Sequence, residues 1–156
     1  MYQSFFEKRR SRLRFNAIEI TVMFHTHPST SSSERKKVCR WLDDAGIVCS
    51  GIHFIFDDNV KLASTYKENI QHSILYNRAV IDLAADLNTK TIVVGGGKIR
   101  SVKPEQSREE IMKILFEIFA ASGDYAKERG VYLGIEAMNL PAAELRGIYH
   151  SLKQTN

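Results

Sequence analysis

Apolar side chains enter this chain in two alternating patterns, short continuous runs and stripes at three- and four-residue spacing. Asn16 to Phe24 (NAIEITVMF) is rich in β-branched and apolar residues and too short for a helical stripe, which predicts a buried strand. His25 to Ser33 (HTHPSTSSS) is polar throughout and predicts a loop, with Ser31 and Glu34 spaced as a capping box that opens a helix. Val38, Trp41, Leu42 and Ala45 share one face of that helix, and Gly46 suits the left-handed residue that ends it. The strand signal returns at Ile47 to Phe56 (IVCSGIHFIF), followed by a polar connection from Asp57 to Tyr66. A helix is then predicted from about Lys67 to Leu87, because Ile70, Ile74, Leu75, Ile81, Leu83, Ala84 and Leu87 recur as one helical face requires. Asn88 is suited to stop it in a left-handed turn.

Thr91 to Val94 (TIVV) predicts a third strand, halted by Gly95, Gly96 and Gly97. Ser107 and Glu110 repeat the capping-box spacing ahead of a helix with Ile111, Ile114, Leu115, Ile118, Phe119, Ser122 and Tyr125 along one stripe, closed by Gly130. Val131 to Ala137 (VYLGIEA) is the fourth predicted strand, and Pro141 begins a last short helix reaching about Leu152. The first fourteen residues pattern as a helix with no strand before it. Strands and helices thus alternate at roughly the spacing of βαβ units, and continuous apolar strands imply a parallel sheet covered by helices or closed into a barrel. The fold class is α/β.

Length changes that picture. With 156 residues and 44% hydrophobic side chains the chain suffices for one domain with its own core. A closed eight-unit barrel needs about 250 residues, with ~200 near the minimum, so on the barrel reading residues 1–156 form a single incomplete domain.

Charge adds a net +4, with Lys8, Arg9, Arg10, Arg12 and Arg14 clustered near the start. No aromatic platform or binding motif accompanies the cluster, so it reads as a solvated helix face and no nucleic-acid partner is expected. Cys39 and Cys49 lack CxxC spacing and read as small buried hydrophobes of a reducing compartment. No apolar run approaches the ~18 residues of a membrane span and none follows the basic start as a signal core, so a cytoplasmic, membrane-free location is expected.

Parallel α/β folds gather reactive groups where strands run out at their C-terminal ends. That rule selects His25, His27, His53, Gly95 to Gly97, Glu136 and Asn139. Glu136 is the most informative, since burying an ionised carboxylate without a partner costs several kcal/mol. A hard divalent cation would relieve that cost, and so would a Lys or Arg on a neighbouring strand; the position alone leaves both open. His25 and His27, two residues apart, read as a solvated loop unless the loop folds inward to hold a metal. Gly95 to Lys98 (GGGK) lacks P-loop spacing and reads as a plain βα turn. Trp41 reads as core packing, and His72 and His150 as helix-surface residues.

Four segments together resemble the sugar isomerase and epimerase superfamily with a xylose-isomerase-like TIM barrel. GVYLGIEAMN is similar to its strand-five motif, in which a Glu is followed by a short apolar pair and an Asn, often as Glu-Pro-Leu-Asn-Arg. NRAVIDLAADLNTKTIVVGGG resembles the helix and fourth strand, FNAIEI the second strand, and WLDDAGIVCSGIHF the second helix running into strand three. The resemblance spans nearly the whole chain, in register, as strands two to five of eight.

It implies a partial (β/α)8 TIM barrel of about four parallel βα units, from a metal-dependent isomerase or epimerase of a small sugar or sugar phosphate. Glu136 matches the strand-five Glu that binds a divalent metal (Mn2+, Mg2+, Co2+ or Zn2+) and serves as one of two acid–base carboxylates. Asn139 matches the Asn that supports the site, Gly95 and Gly96 match the strand-four end that borders substrate, and His53 falls near the strand-three end, where relatives place a substrate-facing or, in the endonuclease branch, a metal-binding residue. The implied reaction is aldose–ketose isomerisation or C3-type epimerisation through an enediolate. Departures are specific: no His precedes Gly95, Leu140 replaces the motif's Arg, and Ala142 stands where epimerases often carry a second acid. The remaining metal ligands of such enzymes, an Asp, a His and a second Glu, lie on strands six to eight. Two alternatives accompany this reading. One is the apurinic-site endonuclease branch, which needs several His ligands; the other is a non-catalytic half-barrel that dimerises to cover its open edges.

Overall fold

Among the described residues four short strands, β1 (Ala17–Thr21), β2 (Val48–Phe54), β3 (Thr91–Val94) and β4 (Tyr132–Ile135), lie side by side in sequence order, every neighbouring pair parallel. Three helices, α1 (Ser32–Ala45), α2 (Lys67–Asp86) and α3 (Arg108–Glu128), alternate with them. The structure is a computed structural model that describes residues 15–22, 26–54, 56–57, 59–95, 102–136 and 146. The basic cluster at residues 8–14, His25, Gly96, Asn139, His150 and most of the predicted helix after Pro141 lie outside the described residues.

The predicted helix signals act as local chemistry requires. Ser31 accepts from the Glu34 backbone N–H while the Glu34 carboxylate accepts from the Ser31 backbone, a complete capping box at the start of α1. Gly46, at φ 60° and ψ 40°, turns the chain so that its own N–H and that of Ile47 reach Asp43 O and Leu42 O. Ser107 accepts from the Glu110 N–H at the start of α3, and Asn88 takes the left-handed conformation at φ 55° after α2. Tyr66 offers α2 no side-chain cap; Ser64 Oγ instead accepts from the Tyr66 N–H and the Asn69 amide.

Register decides what each strand face meets. Ile20, Ile52, Ile92 and Leu133 pair in a row across the sheet, and Ile52 and Ile92 are completely buried beneath the helices with Val80, Ile81, Leu83, Ile111 and Ile118. The neighbouring row, Thr21, His53, Val93 and Gly134, faces the opposite way. On that side Val48 and Tyr132 are 64% and 73% exposed. All three helices therefore cover one face. A doubly wound sheet carries helices on both faces, whereas one-sided coverage of parallel strands is barrel geometry. A register shift between Ile18 and Glu19 fits an extra residue of β2 against β1, and at Gly51 a Cβ would meet Thr91 O at 3.3 Å, so a bare backbone suits the close approach of β3.

Three expectations change. Leu75, assigned to the buried face of α2, is 59% exposed, while Ser73, Tyr76 and Asn77 are buried. It stands one residue past Ile74, about 100° around the helix, on the side that neither the sheet nor α3 covers. The connection after β2 is not simply polar: Val60 and Leu62 turn inward and join the core. Cys39 and Cys49 are half-buried edges of that core rather than fully enclosed.

Candidate active site

The sheet ends in a row of residues on the helix-free side. Glu136 follows β4 directly, and its backbone N–H donates to Val94 O at 3.0 Å, extending the ladder one step beyond the paired Val94 and Ile135. Gly95 and Glu136 are thus neighbours at the strand ends, Gly95 buried and Glu136 half-buried. Side chains alternate along a strand, so Glu136 lies on the face of Gly134 and Tyr132. His53 pairs with Val93, and Val93 with Gly134, which sets His53 on this same face one step below Glu136. Of the residues the sequence nominated, Glu136 and Gly95 lie side by side, and His53 shares their face two strands away.

His53 is held from beneath. Its Nδ1 lies 3.3 Å from Glu19 Oε1 across the β1–β2 pair, so Glu19 engages that ring nitrogen and not Nε2. Glu19 was not among the nominated residues; its signal was a lone carboxylate in the apolar run AIEIT, the same signal that singled out Glu136.

The loop after β1 folds inward instead of waving in solvent. His27 Nε2 lies 2.9 Å from Asp57 Oδ2, its Nδ1 is 2.6 Å from Ser29 Oγ, and its ring meets Tyr76 edge-on. Phe56 stacks on the same Tyr76 ring. Burial first, then the hydrogen bond and negative charge of Asp57, push the Tyr76 hydroxyl above the ordinary tyrosine range. Arg35 reaches back to the carbonyls of Pro28 and Thr30 and fixes the loop onto α1. This cluster is a clasp between the loops after β1 and β2, and His27 is engaged by a carboxylate rather than solvated.

Among the described residues no group of three or more His, Cys, Asp or Glu side chains is placed to hold a metal ion. Glu136 and His53 do not by themselves make such a site.

Residues 11–155 match the family model described as xylose isomerase-like TIM barrel. The chain belongs to this family. None of the curated proteins matches it. Among solved structures, a D-tagatose 3-epimerase-like protein aligns with TM-score 0.70 at 22% identity over 87% of this chain and 49% of its own. A D-psicose 3-epimerase in the presence of D-fructose aligns with TM-score 0.65 at 19% identity, over 85% and 45%. A xylose isomerase-like TIM barrel protein from Mycobacterium smegmatis in complex with magnesium aligns with TM-score 0.69 at 17% identity, over 97% and 53%. The likeness is one of fold, and the chain spans about half the length of the structures it matches.

As a xylose isomerase-like chain it is a partial α/β barrel, and its helix-free face corresponds to a barrel interior. Among the described residues no helix is long and apolar enough to cross a membrane.

Proposed function

We propose that this chain forms part of a sugar or sugar-phosphate isomerase or epimerase whose Glu136 moves a proton at the carbon beside a carbonyl. The observation that supports this most is the position of Glu136: a half-buried residue at the C-terminal end of β4, on the barrel-interior face, beside a residue with no side chain and on the face that His53 shares two strands away. Gly95 leaves room against the carboxylate, which a substrate carbon must approach for proton transfer. His53, steadied through Nδ1 by Glu19, offers Nε2 to a substrate hydroxyl. Gly96 and Asn139 are assigned to the substrate border and the support of the loop.

Ketohexoses are the substrate class to test, because two of the matched structures are of a 3-epimerase of such a sugar and a protein like one. The family resemblance also assigns Glu136 to a divalent ion such as Mn2+. No nucleic acid or membrane enters the reading.

Proton exchange tests it directly. Incubated in D2O with Mn2+ and D-fructose or D-tagatose, the protein should place deuterium at C3, read by loss of the C3 proton signal in NMR. Removing a proton-transfer group typically costs about 10²- to 10⁴-fold, so Glu136→Gln should slow exchange by at least ~100-fold. A wild-type protein that exchanges no faster than buffer would refute the proposal.

A further inference from the structure

The loops after β1 and β2 join a hydroxyl, an imidazole and a carboxylate in one chain of contacts. Ser29 Oγ lies 2.6 Å from His27 Nδ1, and His27 Nε2 lies 2.9 Å from Asp57 Oδ2. The backbone decides which ring nitrogen holds the proton. Ser29 N–H, which can only donate, lies 3.2 Å from Nδ1, so Nδ1 carries the lone pair and Nε2 the hydrogen given to Asp57. A hydroxyl 2.6 Å from that lone pair donates to it as well. Ser29 is thereby set to lose its proton to the imidazole, and the Asp57 carboxylate stabilises the imidazolium that results.

The three groups are also held in place. Thr30 N–H donates to His27 O at 2.9 Å and closes a turn around Pro28 and Ser29. Arg35 Nε and Nη2 donate to Thr30 O and Pro28 O, and its Nη1 pairs with Asp86 at 2.8 Å, which ties the turn to α1 and α2. Tyr76 backs the imidazole edge-on. Ser29 itself is exposed, so an incoming group can reach its Oγ, whereas Ser31 spends its hydroxyl on the capping box with Glu34. Nucleophile, base and orienting carboxylate, each fixed by its neighbours, are the parts that covalent acyl transfer requires.

We propose that Ser29 is a nucleophile activated by His27 and Asp57, and that it takes the acyl group of a carboxylic ester. Ser29 Oγ bonds to the ester carbonyl carbon as its proton passes to His27 Nδ1. The ester C–O bond then breaks, and the leaving alcohol oxygen takes that proton from Nδ1. Water, losing a proton to the same nitrogen, attacks the acyl-serine, and Ser29 recovers its hydrogen as the carboxylic acid departs. The site does not depend on the proton transfer assigned to Glu136.

A biotinylated fluorophosphonate reads the nucleophile, since an activated serine oxygen displaces its fluoride and keeps the phosphonyl group. Peptide mass spectrometry of the labelled chain should place the probe on Ser29, with exposed Ser31, Ser32 and Ser33 unlabelled, and concentrated urea should abolish the preference. Removing a general base typically costs about 10²- to 10⁴-fold, so His27→Gln should label at least ~100-fold more slowly, and Asp57→Asn should also label more slowly. The wild-type chain should cleave p-nitrophenyl acetate faster than Ser29→Ala does. An unlabelled Ser29, a probe spread evenly over Ser29 and its neighbours, an unchanged rate in a folded His27→Gln, or equal ester cleavage by wild type and Ser29→Ala overturns the proposal. Should the His27 and Asp57 variants lose helical circular dichroism, the wild-type preference for Ser29 and its loss in urea decide. No arm reads exchange at a sugar carbon, so failure here and failure of the proton-exchange reading are told apart.

Discussion

Glu136 and Glu19 each interrupt an apolar run, yet one lies half-buried at a strand end and the other exposed in mid-strand beside His53. An acidic residue inside an apolar run marks a position where burial must be offset by a partner, and that much is readable from a single sequence. The partner is not, because 33 residues of intervening chain separate Glu19 on β1 from His53 on β2. His27 makes the same point: local composition suggested solvent, and Asp57, thirty residues away, supplies the contact. At this scale the thiols yield a pH prediction. Burial above all raises the Cys49 thiol pKa, and burial followed by the charges of Asp43 and Asp86 raises that of Cys39. A raised pKa means less thiolate at a given pH, and thiolate is the reacting form. Alkylation by iodoacetamide at pH 8 should therefore run slower in the native protein than in concentrated urea, with the difference narrowing as pH rises. Equal rates at pH 8 would contradict the assignment.

Elements explain where periodicity succeeded and where it slipped. The α3 stripe of Ile111, Leu115, Ile118, Ser122 and Ala126 is buried as its spacing requires. On α2 the buried surface is broader than one stripe, since the helix faces the sheet on one side and α3 on another, and polar Asn77 and Ser73 are enclosed. Asn77 Nδ2 donates to Ser122 Oγ at 2.9 Å, and Ser122 donates to Ile118 O at 2.7 Å, a polar bridge between two apolar helix faces. Ser122→Ala strands the Asn77 amide, whose Oδ1 already has no partner among the described residues. A buried donor left unmade costs about 1–3 kcal/mol. Urea unfolding should show a loss of that size for Ser122→Ala, and the double variant Asn77→Leu/Ser122→Ala should recover part of it. A double variant less stable than Ser122→Ala would show that shape, not hydrogen bonding, governs this interface.

For the whole molecule, the described sheet has one covered face and one open face: Ile52 and Ile92 are enclosed, Val48 and Tyr132 are not. Truncation should therefore be costly on one face only, with Ile92→Ala losing about 2–5 kcal/mol in urea unfolding and Tyr132→Ala far less. Equal losses would contradict a one-sided core.

The strand–helix alternation, the caps at Ser31, Gly46 and Asn88, and the α/β class were all legible in the sequence, because each depends on neighbours within about four residues or on a repeating period. The family resemblance likewise followed from the order of four short segments, and the family match over residues 11–155 agrees with it. What tertiary structure alone decided is which strand faces which side. Pairing register placed His53, Glu136 and Gly95 on the helix-free face, pointed Val60 and Leu62 inward, and left Leu75 outside. Those outcomes depend on contacts between residues far apart in the chain, and a shift of one residue in register would exchange the two faces of a strand.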